Sequence, residues 1–147
     1  MKRINFLIIT IFLSFIFNFA KAEFNIPLKE FLKDKDIEKG SIQIYLLNRC
    51  SAIYTFASAI LIKTDTANSK MFIEIANNLL FKSVELMVID EEKKLENAQK
   101  KARTIRKKMF DIYVIDGKKN WEKNKSHFKD SYILDDMSIC SKLVEDS

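Results

Sequence analysis

Cys50 and Cys140 are the only two cysteines of this 147-residue chain. They do not form the Cys-x-x-Cys motif that is typical of redox-active pairs. Two cysteines in an exported chain most simply form one disulfide, because oxidising compartments favour that bond, and the N-terminus described below predicts export. We therefore predict a structural bridge between Cys50 and Cys140, which would hold a C-terminal helix against a central one.

Arg49 is the only charged residue in the apolar segment 42–62, and it directly precedes Cys50. An arginine at the edge of a core needs a carboxylate, and its planar guanidinium suits one. Asp136 lies one helical turn before Cys140, so the predicted bridge brings it near Arg49. We predict an ion pair between Arg49 and Asp136, with Asp135 as the alternative carboxylate. The functional alternative is an arginine that binds anions at a cleft.

A run of six basic residues without an intervening acid is the third candidate site. Three of them, Lys100, Arg103 and Lys107, share one face of a predicted helix. Such a face can contact an acidic protein, anionic lipid or lipopolysaccharide, and the alternative is an ordinary solvated face. No aromatic residue is interleaved, so stacking on single-stranded nucleic acid is not indicated. The predicted contact residues are Lys100, Lys101, Arg103, Arg106, Lys107 and Lys108.

The remaining residues with chemical potential predict no cofactor and no metal. His127 is the single histidine, whereas metal and haem sites usually use more ligands of this type. Haem held by His127 and one methionine is the alternative, and nothing in the spacing selects a methionine. Nucleophile-elbow, phosphate-loop and metalloprotease motifs are absent from the sequence. Carboxylates distant in sequence can still converge, so an enzyme stays the third interpretation of function.

The N-terminal 22 residues have the pattern of a secretory signal peptide. Lys2 and Arg3 form a positive head, residues 6–19 are almost wholly apolar, and Ala20 and Ala22 supply small residues for cleavage. The apolar part is shorter than the roughly 20 residues of a membrane span. We predict cleavage after Ala22, a periplasmic or secreted location, and a single helical domain over residues 23–147. An uncleaved membrane anchor is the alternative.

Cleavage changes the charge balance of the chain. The full sequence has 25 basic and 20 acidic residues; Lys2, Arg3 and Lys21 leave with the signal peptide, so 22 bases face 20 acids and the net charge falls from +5 to +2. This small charge removes most of the argument for a nucleic-acid or acidic-lipid partner. The two glycines and one proline also disfavour β-sandwiches and barrels, which need these residues at many turns.

Apolar spacing predicts the helices that position these residues. A short helix lies within 23–40, and a buried central helix follows at 42–63 with Ser41 as its N-cap. The rival interpretation of this apolar segment is a membrane span. A third helix covers about 67–89, where apolar residues at heptad spacing are interrupted by Lys82. The acids at 90–92 favour a new helix start, although one continuous helix is the alternative.

The fourth helix has the clearest pattern, a 3-4-3-4-3 seam that predicts close packing against a neighbouring helix. Its members are Leu95, Ala98, Ala102, Ile105, Met109 and Ile112. Gly117 is expected to end or kink this helix, and a last helix covers about 131–144.

These elements predict an all-α fold, an up-and-down bundle of about four main helices plus a short N-terminal helix, with one disulfide. The predicted function is that of a small, non-catalytic exported protein that binds another protein or an envelope component. A membrane-anchored or membrane-active envelope protein is the alternative.

Overall fold

The computed structural model describes residues 26–145, so the predicted signal peptide lies outside the described residues. In chain order the helices are α1 (Leu28–Leu32), α2 (Gly40–Leu61), α3 (Thr66–Ile89), α4 (Leu95–Asn124) and α5 (Tyr132–Glu145). The part of the chain that the structure describes contains no β-strand. The predicted helical bundle, with four main helices and a short N-terminal one, is confirmed.

Helix α2 lies at the centre of the bundle and packs against α3, α4 and α5. Its residues are buried on most sides, as an apolar core helix requires, and Cys50 and Ile53 have no exposed surface. The helix starts at Gly40, with Lys39 at the N-cap position and no side-chain capping bond. The prediction that Ser41 caps this helix is therefore wrong, because Ser41 already lies in its first turn.

The interface between α2 and α3 is built from small residues. Ser58 Oγ donates to the carbonyl of Ser69 at 2.8 Å, and Ser51 Oγ donates to the carbonyl of Ala76 at 2.6 Å. Numbers rise on one helix as they fall on the other, so α2 and α3 are antiparallel. Ser69, Ala76 and Ser83 lie seven residues apart on one face of α3, and all three are buried. Their small side chains let the two helices approach closely enough for these side-chain-to-backbone bonds.

The acidic segment after α3 separates two helices, so the alternative of one continuous helix is wrong. Helix α3 ends at Ile89, Glu92 adopts a left-handed conformation with φ of 50°, and α4 begins at Leu95. Lys101 Nζ donates to both carboxylate oxygens of Glu91 at 3.0 and 2.8 Å. This hydrogen bond lowers the pKa of Glu91 and ties the connection to the first turns of α4.

Helix α4 continues through Gly117 to Asn124, so the prediction that Gly117 ends this helix is wrong. Gly117 is buried, and the ring of Phe56 on α2 occupies the space that a Cβ atom would need. The helix ends where Lys125 adopts a left-handed conformation with φ of 54°. Gly117 therefore allows α2 and α4 to pack closely at this position.

Candidate functional site

The disulfide predicted from the sequence joins α2 to α5. The sulfur atoms of Cys50 and Cys140 are 2.05 Å apart, their Cα atoms are 5.3 Å apart, and both residues have no exposed surface. The bridge links two residues that are 90 positions apart in the sequence, and it holds the last helix against the central one.

Arg49, which directly precedes Cys50, meets Asp136, which lies one helical turn before Cys140. Arg49 Nη2 lies 2.7 Å from Asp136 Oδ2, and Arg49 Nε lies 3.1 Å from the same oxygen. The two side chains are 2% and 0% exposed, so this pair is buried in the interior of the protein. Asp135, the alternative carboxylate, is exposed on the outer side of α5.

Two tyrosines and one backbone amide also belong to the polar cluster, and none of the three was evident from the sequence. Tyr113 Oη donates to Asp136 Oδ2 at 2.7 Å and accepts from Arg49 Nε at 2.8 Å. Arg49 Nη1 donates to Tyr45 Oη at 3.0 Å, and the N–H of Leu28 donates to Asp136 Oδ1 at 2.7 Å. Residues from α1, α2, α4 and α5 therefore meet at one buried carboxylate.

The spacing of buried residues in α4 contains a signal that could have identified Tyr113. The buried residues of this helix are Ala98, Ala102, Met109, Tyr113 and Gly117. The apolar seam therefore continues from Met109 at a spacing of four to Tyr113, whereas the predicted member Ile112 is only partly buried. At the other end of the seam Leu95 is 57% exposed.

The pKa values of Arg49 and Tyr113 indicate that neither group changes its protonation state near neutral pH. Burial by itself lowers the pKa of Arg49, but the oxygens of Tyr113, Asp136 and Tyr45 more than offset this and hold it above its usual value. Burial raises the pKa of Tyr113 well above its ordinary range, an effect that Arg49 opposes and Asp136 reinforces. Arg49 is therefore charged and Tyr113 neutral at physiological pH. Both carboxylate oxygens are hydrogen-bonded, and Arg49, Tyr113 and Asp136 are buried, so the arrangement suits a structural role.

The six basic residues of α4 differ in their surroundings. Lys101 binds Glu91, as described, and Lys107 Nζ pairs with Asp111 at 2.6 Å. Arg106 Nη1 donates to Asn77 Oδ1 of α3 at 3.2 Å. The other four basic residues form no ion pair with a carboxylate within residues 26–145; they are Lys100, Arg103, Arg106 and Lys108.

His127 packs among aromatic rings. It stacks on Trp121 with ring centroids 4.9 Å apart and meets the edge of Phe56 at 6.0 Å. Its Nδ1 atom lies 3.1 Å from the carbonyl oxygen of Gly117. Within residues 26–145, no group of three or more His, Cys, Asp or Glu side chains is arranged so that it could hold a metal ion.

An apolar groove runs along the outer side of α3 and consists of two adjoining hollows that share Lys82 and Glu85. The first hollow, of about 440 Å³, is lined by Ile75 and Phe81 of α3 and by Val144 of α5. The second hollow, of about 620 Å³, lies between α3, α2 and the end of α5. Its apolar lining includes Ile37, Leu46, Leu86, Ile89 and Leu143. We call the two hollows together the α3 groove.

The α3 groove explains the heptad pattern of α3. Ile75, Leu79, Leu86 and Ile89 follow the predicted heptad spacing, and all four line the groove. The small-residue face described above packs on α2 through side-chain-to-backbone bonds, and the heptad face reaches α2 at its edge, where the ring of Phe72 contacts that of Tyr54. Helix α3 therefore has two packing faces, of which the heptad face is covered only in part: Leu79 is 4% exposed and Ile89 is 70% exposed.

Two charged residues lie in the middle of this apolar surface. Lys82 and Glu85 line both hollows, and neither takes part in an ion pair or a side-chain hydrogen bond within the described residues. Lys82 is the residue that interrupts the heptad pattern in the sequence. Charged groups of both signs on an otherwise apolar surface can orient a bound segment by complementary charges.

Phe81 connects the α3 groove to a smaller cleft between α3 and α4. This cleft has a volume of about 170 Å³ and is lined by Asn77, Leu80, Phe81, Val84, Gln99 and Arg103. Arg106 adjoins it through its bond to Asn77. Burial and the positive charge of Arg103 lower the pKa of Arg106. We call this site the arginine cleft.

Helix α2 is the one helix among the described residues whose length and composition would allow a membrane span, and 61% of its apolar segment is buried inside the protein. Comparisons with known protein families, with curated proteins and with solved structures find no match to this chain.

Proposed function

We propose that this chain is a small, non-catalytic exported protein that binds an amphipathic helical segment of another protein in the α3 groove. The observation that carries the proposal is the heptad face of α3, which lines an open groove. Ile75 and Ile89 lie 14 residues apart on this helix, so the groove is about 21 Å long at 1.5 Å per residue.

The exposure of large apolar residues around the groove supports binding. Ile37 is 58% exposed, Phe81 is 62% exposed and Ile89 is 70% exposed. Single exposed apolar residues are common, but a contiguous apolar surface with polar groups at its edge is typical of interaction sites. A groove between helices accepts the apolar stripe of another helix, which places residues at every third or fourth position into it.

Export is part of the same proposal. The buried bridge between Cys50 and Cys140 is compatible with an oxidising compartment, where such bonds persist. Together with the signal-peptide pattern of the sequence, it supports cleavage after Ala22 and a periplasmic or secreted domain over residues 23–147. Cell fractionation and N-terminal sequencing of the purified protein test this part: a mature N-terminus at Ala22 or earlier would contradict it.

Groove binding can be tested with a labelled peptide of about 15 residues, the length that spans the groove. The peptide carries leucines at heptad spacing and equal numbers of glutamates and lysines, and fluorescence anisotropy reports binding to the oxidised protein. We expect the Ile37→Ser/Ile89→Ser variant to bind at least about tenfold more weakly, because two exposed groove residues lose their apolar contacts.

The matched control is Ile62→Ser/Ile115→Ser, which changes two isoleucines of similar exposure outside the groove, 60% and 55%. This control should bind like the unmodified protein, and circular dichroism verifies that both variants are folded. Equal binding by the groove variant and the control, or no binding by the unmodified protein, would overturn the proposed site.

The membrane-anchored alternative rests on the length and composition of α2. Carbonate extraction of membranes separates the two functions, since a peripheral or soluble protein is released and an integral one is retained. We expect release, because Arg49 and a row of buried polar residues make α2 poorly suited to lipid.

A further inference from the structure

The arginine cleft contains positive charge that the described part of the chain does not neutralise. Arg103 lines the cleft and Arg106 is held beside it by Asn77. The other residues that line the cleft are apolar or carry an amide, and none of them is acidic. Burial lowers the pKa of Arg106, and the positive charge of Arg103 lowers it further, so an anion bound beside the two guanidinium groups would interact favourably with both.

The neighbouring bases add to this field. Lys100 lies on the same face of α4 as Arg103 and has no carboxylate partner within residues 26–145. Lys101 and Lys107, by contrast, are already paired with Glu91 and Asp111. Three of the four basic residues without a carboxylate partner, Lys100, Arg103 and Arg106, therefore lie at or beside the arginine cleft, and Lys108 is the fourth.

Phe81 places this charge next to the α3 groove. Its ring lines both the first hollow of the groove and the arginine cleft. A helix lying along the groove would present its apolar stripe to α3 and one flank to α4. Residues on that flank would pass Phe81 and come within reach of the guanidinium groups, which form their strongest hydrogen bonds with carboxylates.

We propose that the partner segment is an acidic amphipathic helix, whose apolar stripe fills the α3 groove and whose flanking carboxylates bind Arg103 and Arg106. This inference rests on the proposed function, since it assigns a charge to the helix that the groove holds. It also gives the basic stretch of α4 a specific role, because two of its six residues select the partner by charge.

The test uses two labelled peptides of about 15 residues with identical leucine positions. In one peptide the flanking positions are glutamates, and in the other they are lysines. We expect the glutamate peptide to bind the full oxidised protein at least about tenfold more tightly at low salt, and the difference to shrink as ionic strength rises. In the Arg103→Gln/Arg106→Gln variant the difference should fall below about threefold.

The control Lys118→Gln/Lys123→Gln removes the same charge from exposed positions near the other end of α4, and it should keep the preference for the glutamate peptide. Because Arg103 is exposed, Arg103→Gln alone is expected to fold and to show an intermediate preference. A persistent preference in both arginine variants would overturn the assignment.

The outcomes separate this inference from the proposed function. Equal binding of the two peptides, or tighter binding of the lysine peptide, would overturn the acidic partner and leave groove binding intact. Binding of neither peptide would overturn both. Vesicles of phosphatidylglycerol provide a further arm: if they bind in an Arg103-dependent way while the glutamate peptide does not, the ligand is an anionic lipid surface and the inference is wrong.

Discussion

The guanidinium of Arg49 and the carboxylate of Asp136 are joined through one oxygen, which accepts from Nη2 at 2.7 Å and from Nε at 3.1 Å. Both side chains are withdrawn from solvent. A buried ion pair loses the hydration of both charges, so its presence contributes less to stability than its disruption costs. This asymmetry determines what substitutions at these positions will do.

Removal of one partner alone should be severely destabilising. Asp136→Ala leaves Arg49 buried without its carboxylate, and we expect the free energy of unfolding to fall by about 3–5 kcal/mol. The double variant Arg49→Met/Asp136→Ala removes both charges and should recover part of that loss. Urea unfolding of the single and double variants gives the coupling energy. If the effects of the two single substitutions are simply additive, the pair is not energetically coupled.

Alkaline pH should destabilise the fold through Tyr113. Burial raises the pKa of its phenol, with Arg49 opposing and Asp136 reinforcing the shift. Above the ordinary tyrosine pKa of about 10, the unfolded chain releases this proton while the folded chain retains it. The stability that is fully present below about pH 10 is therefore lost as the pH rises further, by up to about 1.4 kcal/mol per pH unit.

Urea midpoints measured on both sides of the ordinary tyrosine pKa, together with the absorbance of tyrosinate, test this dependence. Tyr113→Phe removes the titrating group, so its stability should depend less steeply on pH in the same range. Tyr132, whose pKa is also raised by burial and by its bond to Asp116, keeps its own contribution in that variant. An unchanged pH slope in Tyr113→Phe would contradict the prediction.

Reduction of the bridge should loosen the attachment of α5. Cys50 and Cys140 are 90 residues apart, and in the chain-entropy model a loop of that length corresponds to about 4–5 kcal/mol. We expect the Cys50→Ala/Cys140→Ala variant to unfold at a lower urea concentration by up to this amount. Intact mass after alkylation checks the premise: the native protein should gain no adduct before reduction and two adducts after it. Two adducts before reduction would rule out the bridge.

Several features of the fold were predictable because they depend on local chemistry. The apolar segment around Arg49 favoured a buried helix, and one charge within it needs a carboxylate, so both α2 and the ion pair of Arg49 with Asp136 were predicted. The helix starts were less predictable. Ser41, for example, was predicted to cap α2, but this helix starts at Gly40 without a side-chain capping bond, whereas Asp65 caps α3 by accepting from the N–H of Asn68 at 3.1 Å.

The candidate binding site was not predictable, because periodicity does not identify the surface that covers an apolar face. The heptad residues of α3 suggested a packed seam, but the hydrogen-bonded contact with α2 is formed by Ser69, Ala76 and Ser83. Serine and alanine give a weak periodic signal although they allow the closest helix approach. The groove appears only once both faces of α3 are assigned to their neighbours.

For the substitution Gly117→Ala, helix propensity predicts a gain in stability and packing predicts a loss. Alanine is favoured over glycine within a helix by up to about 1 kcal/mol, so propensity alone predicts that Gly117→Ala stabilises α4. The added methyl group would, however, collide with the ring of Phe56, and overpacking of a core costs about 1–3 kcal/mol. We expect a net loss of stability in urea unfolding.

The neighbouring exposed position supplies the control, since Lys118→Ala should change stability by no more than about 0.5 kcal/mol. Shortening the opposing side chain in Phe56→Leu/Gly117→Ala should make the added methyl group less costly than it is opposite phenylalanine. The ring of Phe56 also lies 6.1 Å from that of Tyr113, centroid to centroid, so displacement of Phe56 should disturb the polar cluster as well. A Gly117→Ala protein that is more stable than the original would mean that Phe56 can move aside freely, and that the close contact between α2 and α4 does not fix their separation.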